Sequence, residues 1–383
     1  MLTCQRHLTS LPDELHYLNC ASRAPLLRSV EAAAIAGLHT QRVPEAVVGE
    51  EYLRISEELR SRIGQLIHAP ADAVALIPSA SYGVAIAANG VPLRRGQNVV
   101  LPGEEFPSDV YPWMARCAEA GAELRLVERP ADSPHPGRVW HERLLEAIDA
   151  DTAVVNLSAV HWTDGLCFDL AAIGARAREV GALFIVDGSQ AIGAAPFDFQ
   201  SVRADLVVCV GYKWLMGPYQ LGFAAVGERL LGAQPFEQHW GNRVGSQAVG
   251  SAGYSSKYRP GARRFDVGEH ANPITMPMLS EGVRQVLEWG VESIQAYCAE
   301  LARRLLPLTA EGRVRALAPG ERVEHILGLR LPEPEALPRI MEALRRRNIH
   351  ASQRGTSLRV SPHVYNTPDD MDAFCEALGA ELR

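Results

Sequence analysis

Lysine is almost absent from this sequence. Among the 38 lysine and arginine residues only Lys213 and Lys257 are lysines. The longest basic run is the arginine trio at 345–347, and the formal net charge is −7. This shortage of clustered positive charge argues against a surface that binds nucleic acid. We therefore expect no nucleic-acid partner.

Long apolar runs and paired cysteines are also missing. No stretch approaches the roughly 18 apolar residues of a membrane-spanning helix, and residues 1–7 contain no apolar signal core. The seven cysteines form no Cys-x-x-Cys pair, which argues against a zinc knuckle and against a disulfide framework. These absences predict a cytoplasmic protein with no membrane contact and no metal site.

What the chain does contain is an alternation of apolar runs and helical stretches. Its 383 residues, 47% of them hydrophobic, suffice for a large core. Helical stretches such as 170–180, closed by Gly181 as a C-terminal cap, separate short apolar runs. The alternation predicts an α/β fold with a doubly wound, mostly parallel sheet. The predicted strands are 74–77, 98–101, 124–127, 153–157, 183–186, 206–210 and 223–226.

The region 234–260 separates this alternation from the rest of the chain. It is rich in glycine, serine and aromatic residues, which predicts a long loop at a cavity mouth or a subunit boundary. We expect a large domain of residues 16–255 and a smaller α+β domain of residues 256–383. Residues 1–15 are expected to pack on the smaller domain.

The C-terminal part of the chain is predicted to begin with a long helix over 279–306. Strands at 323–331 and 357–360 flank a helix at 335–346. Thr367 is followed by a proline and two acids, a pattern typical of the N-cap and first turn of a helix. Short strands and helices in this order predict the small α+β domain.

One of the two lysines occupies an unusual position. Lys213 follows the apolar strand 206–210 and lies in a turn that ends at Pro218. A buried lysine can lose its proton and attack a carbonyl, which an arginine cannot do. A GC-rich coding sequence would also make lysine scarce, so the position alone leaves both explanations open.

A carboxylate ends the preceding predicted strand. The apolar run 182–186 leads into Asp187, and the carboxyl ends of parallel strands meet at one edge of a sheet, so Asp187 and Lys213 would face one crevice. A carboxylate beside the pyridine nitrogen and a lysine at the aldehyde are the groups that pyridoxal 5′-phosphate requires. Asp-Gly is also a common turn pair, so a turn-capping role for Asp187 stays open.

Four motifs in this order resemble those of the class V aminotransferases. They are Tyr17-Leu-Asn-Cys-Ala-Ser22, Glu105-Phe-Pro-Ser-Asp-Val-Tyr-Pro-Trp113, Asp187-Gly-Ser-Gln190 and Gly211-Tyr-Lys-Trp-Leu-Met-Gly-Pro218. This group of fold-type I pyridoxal-phosphate enzymes includes cysteine desulfurases, kynureninases, isopenicillin-N-epimerase-like enzymes and C–S lyases. The resemblance runs from about Tyr17 to the end of the sequence. It implies a seven-stranded sheet, pyridoxal 5′-phosphate held by Lys213, and a homodimer with shared active sites.

The resemblance assigns further residues to the cofactor. Ala80 and Ser81 match the phosphate-binding pair, at a helix start where backbone N–H groups are free to bind an anion. Serine at a helix start is also an ordinary N-cap. Tyr212 matches a position that often contacts the phosphate in relatives, or it simply packs. Gln190 matches the residue that hydrogen-bonds the phenolic oxygen of the cofactor or the region of the lysine.

Two positions are expected to face the cofactor ring. Phe106 matches the stacking position that is histidine in cysteine desulfurases, and phenylalanine stacks but relays no proton. His161 lies just beyond a strand end and is predicted to restore a polar contact near the ring. A lone histidine after a strand is more often structural than catalytic. Ala159 stands at the asparagine position of the desulfurases.

The resemblance also implies an amino-acid substrate. Arg359 matches the arginine of the small domain that grips the α-carboxylate, a group that suits a bidentate guanidinium. Asn19 is expected to lie near the same carboxylate. Arg354 is a neighbouring alternative for this contact.

Two departures from the family pattern bear on the reaction. Desulfurases carry a mobile cysteine before the carboxylate-binding arginine, but residues 350–359 contain none, and persulfide chemistry needs that thiolate. Glu269 stands where relatives have a threonine that contacts the cofactor phosphate of the partner subunit. A carboxylate there would repel the phosphate, unless the backbone N–H makes the contact.

The family's reactions share a beginning and differ in the bond that breaks. In each, the substrate amine is transferred onto the cofactor and a bond at Cα is weakened, with Lys213 as the general acid–base. We predict β-elimination from a cysteine S-conjugate or its sulfoxide, which releases pyruvate and ammonia. The alternatives are an aminotransferase or epimerase of a specialised amino acid, a decarboxylating variant, and a non-catalytic module that retains the fold.

Overall fold

The computed structural model describes residues 2–43, 50–130, 133, 135–245 and 254–383. The strands are β1 His16–Tyr17, β2 Val74–Ile77, β3 Asn98–Pro102, β4 Glu123–Val127, β5 Thr152–Ser158, β6 Leu183–Asp187, β7 Leu206–Val210, β8 Gly222–Val226, β9 Leu327–Arg330, β10 Ile349–His350, β11 Ser352–Arg354 and β12 Ser357–Val360. The α-helices are α1 Arg28–Thr40, α2 Glu50–Ile67, α3 Ala80–Gly90, α4 Pro107–Ala120, α5 Pro136–Ala147, α6 Leu170–Glu179, α7 Phe199–Val202, α8 Thr275–Trp289, α9 Val291–Ala302, α10 Leu306–Ala310, α11 Leu337–Arg346 and α12 Pro368–Glu381.

Seven strands form one central sheet in the order β2-β8-β7-β6-β5-β3-β4. The five strands from β7 to β4 run parallel, and only β8 is antiparallel to its neighbours β7 and β2. The predicted mostly parallel, seven-stranded α/β fold is therefore confirmed. All seven strands lie where the apolar runs predicted them, with ends displaced by at most one residue. The runs are apolar throughout because both faces of the sheet are buried.

Alternate residues of each strand enter two different cores. On β7, Val207 lies in the core on one face of the sheet and Val208 in the core on the other. Helices α3 and α4 cover the Val208 face, where Trp113 of α4 is fully buried. Helices α5, α6 and α8 cover the opposite face. Helices on both faces leave the carboxyl edge of the parallel strands free to form a site.

A third core lies outside the large sheet. Strands β11, β12 and β9 form a small antiparallel sheet, and its residues Leu329 and Leu358 pack with Phe374 of α12. The N-terminal strand β1 pairs with β10, and Leu18 belongs to this third core. The domain boundary at residues 255 and 256 stays a prediction.

Two sequence predictions for the C-terminal part have clear outcomes. The single helix expected over 279–306 is wrong, because Gly290 has a φ of 76° and separates α8 from α9. The last helix does begin after Thr367, whose side chain accepts the backbone N–H of Asp370 in a capping box. In the predicted loop 234–260, residues 246–253 lie outside the described residues.

Within the described ranges, no helix is long and apolar enough to cross a membrane.

Candidate active site

The carboxyl ends of three neighbouring strands meet at one edge of the large sheet. Ser158 at the end of β5 is paired with Asp187 at the end of β6, and Asp187 is paired with Val208 of β7. Two adjoining cavities lie beyond these strand ends, with volumes of about 530 and 240 Å³. Sequence reasoning placed Asp187 and Lys213 in one crevice, and the structure brings both residues to this edge.

Four residues line both cavities and therefore mark their junction: Phe106, Tyr212, Lys213 and Tyr219. The larger cavity extends from this junction to the arginines of the small sheet. The smaller cavity extends to Asp187 and to the start of α3. The site thus joins the large sheet to the small one.

Lys213 is buried at the junction of the cavities. Its side chain belongs to a residue only 8% exposed, and its amino nitrogen Nζ lies 5.7 Å from the ring centroid of Phe106. Burial lowers the pKa of Lys213 to about 8, although the charge of Asp187 acts in the opposite direction. A substantial fraction of the amine is therefore neutral near physiological pH, which is the form that reacts with a carbonyl.

Two acidic side chains hold the strand ends in place. Asp187 is 4% exposed, and its Oδ1 accepts the backbone N–H of Ser189 at 2.7 Å. The carboxylate of Glu105 accepts the backbone N–H of Ser158 at 2.8 Å and its hydroxyl at 2.6 Å. Glu105 also accepts the N–H of Phe106 at 2.7 Å. These bonds fix the backbone at Phe106 relative to the end of β5.

A third acid, Asp109 of α4, was not predicted from the sequence. It is fully buried, and burial, Asp187 and Glu105 together raise the pKa of Asp109 well above its ordinary value. The neutral, protonated form of Asp109 is therefore favoured. One signal in the sequence could have revealed it. Asp109 is an acid three residues after Phe106, and it lies on the face of α4 that otherwise turns apolar residues towards the sheet.

The start of α3 forms the far wall of the smaller cavity. Ser79 is the N-cap, because its Oγ accepts the backbone N–H of Tyr82 at 3.1 Å. The hydroxyls of Ser79 and Ser81 lie 2.9 Å apart. Ala80 and Ser81, both predicted from the sequence, line this wall. Free N–H groups and hydroxyls at a helix N-terminus suit a phosphate group.

Aromatic side chains enclose the junction, and two of them were not predicted. Trp162 packs edge-on against Phe106 with 5.7 Å between ring centroids. Tyr219 stacks on Tyr212 at 3.9 Å, and the guanidinium of Arg23 lies 4.4 Å from the Tyr219 ring. No periodicity in the sequence marks Trp162 or Tyr219, since both follow strand ends in irregular segments.

Gln190 lines the larger cavity with its side-chain amide fixed in orientation. Its Nε2 donates to the carbonyl of Ala21 at 3.1 Å, and its Oε1 accepts the indole N–H of Trp214 at 2.9 Å. The imidazole of His325 lies 2.7 Å from the backbone carbonyl of Gln190. A carbonyl only accepts, so His325 carries its proton on Nε2. The structure thus places Gln190 in the wall of the larger cavity, beside Lys213 in the same lining.

Two arginines of the small sheet converge on Ser22. Arg359 of β12 is 1% exposed, and its Nη2 donates to Ser22 Oγ at 2.8 Å. The Nη2 of Arg354 donates to the same oxygen at 2.8 Å. Asn19 lies behind Ser22, accepts its hydroxyl proton at 2.8 Å and is part of neither cavity wall. Ser22 belongs to a motif noted in the sequence but had no predicted role.

The structure does not bring His161 into either cavity. The side chain is fully buried, and Thr163 Oγ1 lies 2.9 Å from its Nδ1. Its Nε2 lies 3.1 Å from the carbonyl of Glu104, and its ring packs edge-on against Trp140. These contacts satisfy both ring nitrogens away from Phe106. The following residue, Trp162, reaches the cavity instead.

A family model described as aminotransferase class-V matches residues 45–374. The chain belongs to the class V aminotransferases. Pyridoxal 5′-phosphate is the cofactor of this family and of this chain, as the sequence motifs predicted. The cavities fit the group, since a buried amine, a buried carboxylate and a helix N-terminus with two hydroxyls lie around one junction.

Several named proteins resemble the chain in sequence or in fold. A probable cysteine desulfurase of Methanothermobacter thermautotrophicus is 32% identical over 167 residues, which cover 44% of this chain and 40% of the relative. A probable cysteine desulfurase of Streptomyces coelicolor is 28% identical over 356 residues, 87% of this chain and 82% of the relative. A solved complex of the cystine C–S lyase C-DES with its product cysteine persulfide has a TM-score of 0.85 at 20% identity, covering 97% of this chain and 98% of that chain. The first of these matches spans well under two thirds of the relative's own length, and the structural match shows the fold.

Proposed function

We propose that Lys213 holds the cofactor aldehyde and that Asp187 pairs with the pyridine nitrogen. In this arrangement Ala80 and Ser81 bind the phosphate at the start of α3, and Phe106 covers the ring. The observation that supports the proposal is the position of Lys213 between the two cavities, with Asp187 and the α3 terminus on one side. Gln190 and Tyr212 complete the walls around the lysine.

The proposed reaction is β-elimination from a cysteine S-conjugate. The Cα–H and Cβ–S bonds break, a Cα=Cβ double bond forms, and the sulfur leaves as a thiol. Water then converts the released enamine into pyruvate and ammonium. When bound, pyridoxal phosphate supplies the electron sink that stabilises charge at Cα. Lys213 removes the Cα proton and delivers a proton to the leaving sulfur, for which a pKa of about 8 is well matched.

Arg359 is proposed to hold the α-carboxylate of the substrate. Its burial and its three hydrogen bonds to Ser352, Trp162 and Ser22 fix the direction of the guanidinium. A fixed guanidinium orients the amino acid before reaction and so lowers the entropic part of the barrier. Asn19 acts through Ser22, whose hydroxyl it orients.

Two observations favour simple elimination over transfer of sulfur to a protein thiol. No cysteine lines either cavity within the described residues. Only Gly355 and Thr356 connect β11 to β12, so the hairpin before Arg359 is short. Cys20 is near the site in sequence, but it is fully buried and burial raises the pKa of its thiol. A persulfide carrier needs an accessible thiolate.

Incubation of the holoprotein with S-ethylcysteine, without a keto-acid acceptor, tests the reaction. The expected products are pyruvate, ammonium and ethanethiol in equal amounts. At most one equivalent of the keto acid of S-ethylcysteine per subunit, with the amino group left on the cofactor, would indicate transamination, and a racemised substrate would indicate epimerisation. No turnover and no spectral change across a panel of amino acids would indicate a module without catalytic activity.

A homodimer is the proposed assembly, with a second copy covering exposed apolar side chains of the cavity wall and of α4. Tyr219 lines both cavities and is 48% exposed, and Tyr111 and Met114 of α4 are 61% and 51% exposed. Exposed apolar groups that a partner covers are typical of a subunit interface. Light scattering is expected to give twice the mass of the chain, and Met114→Glu is expected to reduce it to that of the monomer. A wild-type monomer with full cofactor occupancy would contradict the proposal.

A further inference from the structure

The larger cavity contains two arginines that share one acceptor. Arg354 and Arg359 each donate from Nη2 to Ser22 Oγ at 2.8 Å. The Ser22 hydroxyl proton is used by Asn19, so the oxygen has no further capacity. A neutral hydroxyl brings the two guanidinium groups together but does not offset their charges. Like charges held this close repel each other unless an anion lies between or beside them.

The larger cavity offers these arginines no acidic partner among the residues that the structure describes. Its walls there include no aspartate and no glutamate. Trp162, 5.9 Å from the Arg354 guanidinium, adds an aromatic face to the cavity. Burial lowers the pKa of both arginines, and the charge of Arg354 lowers that of Arg359 further. The ligand must therefore bring the negative charge.

The α-carboxylate of a substrate would offset only part of the positive charge of Arg354 and Arg359. Arg359 donates to three protein oxygens, which leaves two of its five N–H groups for a bidentate carboxylate. Arg354 donates to two protein oxygens, which leaves three N–H groups. These three groups, at the rim of the same cavity, have no role in a contact between Arg359 and an α-carboxylate.

We infer that the substrate carries a second anionic group on its side chain and that Arg354 binds it. The inference rests on the proposed function in one respect, which is that Arg359 holds the α-carboxylate. The substrate class is then a cysteine S-conjugate whose sulfur substituent ends in a carboxylate. Arg354 is the specificity residue, and the aromatic face of Trp162 packs against the linker between sulfur and carboxylate.

A matched pair of substrates tests the inference. S-(2-carboxyethyl)cysteine and S-(3-methylbutyl)cysteine have side chains of the same length and shape and differ in charge. The wild-type holoenzyme is expected to favour the charged substrate by at least about tenfold in kcat/KM, the effect of one charge-assisted hydrogen bond. Arg354→Gln is expected to lower kcat/KM for the charged substrate at least about tenfold more than for the neutral one. Thr356→Ala, in the same hairpin, is the control and is expected to keep the wild-type preference.

Two outcomes would overturn the inference. One is a wild-type enzyme that cleaves both substrates equally well. The other is an Arg354→Gln variant that loses the same factor on both, because Arg354 would then serve the α-carboxylate or the fold. Arg354→Lys separates charge from geometry, since it retains the positive charge without the bidentate fork and is expected to recover part of the preference.

A binding measurement keeps the inference testable if no cysteine conjugate is cleaved. Pimelate and 7-methyloctanoate are unreactive and differ only in the second carboxylate, and pimelate has five atoms between its carboxylates, as S-(2-carboxyethyl)cysteine has. Calorimetric titration of the holoprotein is expected to show pimelate binding about tenfold more tightly, and Arg354→Gln is expected to remove the difference. Absence of lyase activity together with this selectivity would reject the proposed reaction alone. Equal affinities would reject the inference alone.

Discussion

Asp109 of α4 and Asp187 of β6 place two buried carboxyl groups side by side at the end of the central sheet. Burial, Asp187 and Glu105 raise the pKa of Asp109 well above its ordinary value. The neutral form of Asp109 is therefore favoured, which lessens the repulsion within the pair. In the proposed arrangement, Asp187 is the carboxylate beside the pyridine nitrogen.

Replacement of Asp109 by asparagine tests this arrangement through stability. The unfolded carboxyl has an ordinary pKa near 3.9 and the folded one a raised pKa, so folding takes up a proton between these values. Wild-type stability is therefore lost as pH rises through the raised pKa, and Asp109→Asn lacks that loss. We expect the difference in the free energy of unfolding between the two apoproteins to move in favour of the variant as pH rises from 5 to 8.

Urea unfolding of both apoproteins at the two pH values is the measurement. Asp13→Asn, at an exposed position, is the control and should leave the pH dependence unchanged. Parallel pH profiles for Asp109→Asn and wild type would show that Asp109 is ionised in the fold.

The chain has two lysines, so a variant of Lys257 serves as the control for a variant of Lys213 in a test of cofactor attachment. Borohydride reduction of the holoprotein followed by peptide mapping is expected to place the label on Lys213. Lys213→Met should abolish the label and the visible absorbance band, whereas Lys257→Met should retain both, because Lys257 is exposed and away from the cavities. A label on Lys257 would show that the wrong lysine has been assigned.

Burial of Lys213 is predicted to lower the free energy of unfolding of the apoprotein in a pH-dependent way. The pKa of Lys213 is about 8 in the fold and 10.5 ordinarily. The cost of burying its charge is present in full below pH 8 and is relieved as pH rises from 8 to 10.5. Lys213→Met should therefore be more stable than wild type at pH 7, by up to about 3 kcal/mol. In urea unfolding, the stability advantage of Lys213→Met should shrink above pH 8. An advantage that stays constant with pH would show that it arises from packing and not from the buried charge.

Glu105 is predicted to be sensitive to the loss of one acceptor oxygen. One carboxylate oxygen accepts from Phe106 and from the Ser158 hydroxyl, and the other accepts the Ser158 N–H. Glu105→Gln places an NH₂ group against one of these donors. We expect a loss of about 1–3 kcal/mol in the free energy of unfolding. The neighbouring exposed residue supplies the control, Glu104→Gln, and equal losses in the two variants would contradict the assignment.

Much of the sheet and part of the site could be predicted from local sequence. Strands buried on both faces must be short apolar runs, and those runs are separated here by helical periodicity and glycine caps. The parallel direction of the strands then brings Asp187 and Lys213 to one edge, whatever the details of packing. The single helix predicted over 279–306 was wrong because apolar periodicity continues through Gly290, whose left-handed backbone interrupts it.

The sequence alone determined the α/β class, the positions of the strands and the pairing of a carboxylate, Asp187, with an amine, Lys213. These features depend on local sequence pattern and on the rule that the carboxyl ends of parallel strands meet at one edge of a sheet. Tertiary structure alone decided which other side chains meet that pair. Ser22, Arg354 and Arg359 come together because β1 pairs with β10 and β11 with β12. His161 and Trp162 are adjacent in sequence, yet one fills the core and the other lines the cavity, because the turn after β5 points them in different directions. Contacts across hundreds of residues depend on how elements pack, and no local spacing carries that information.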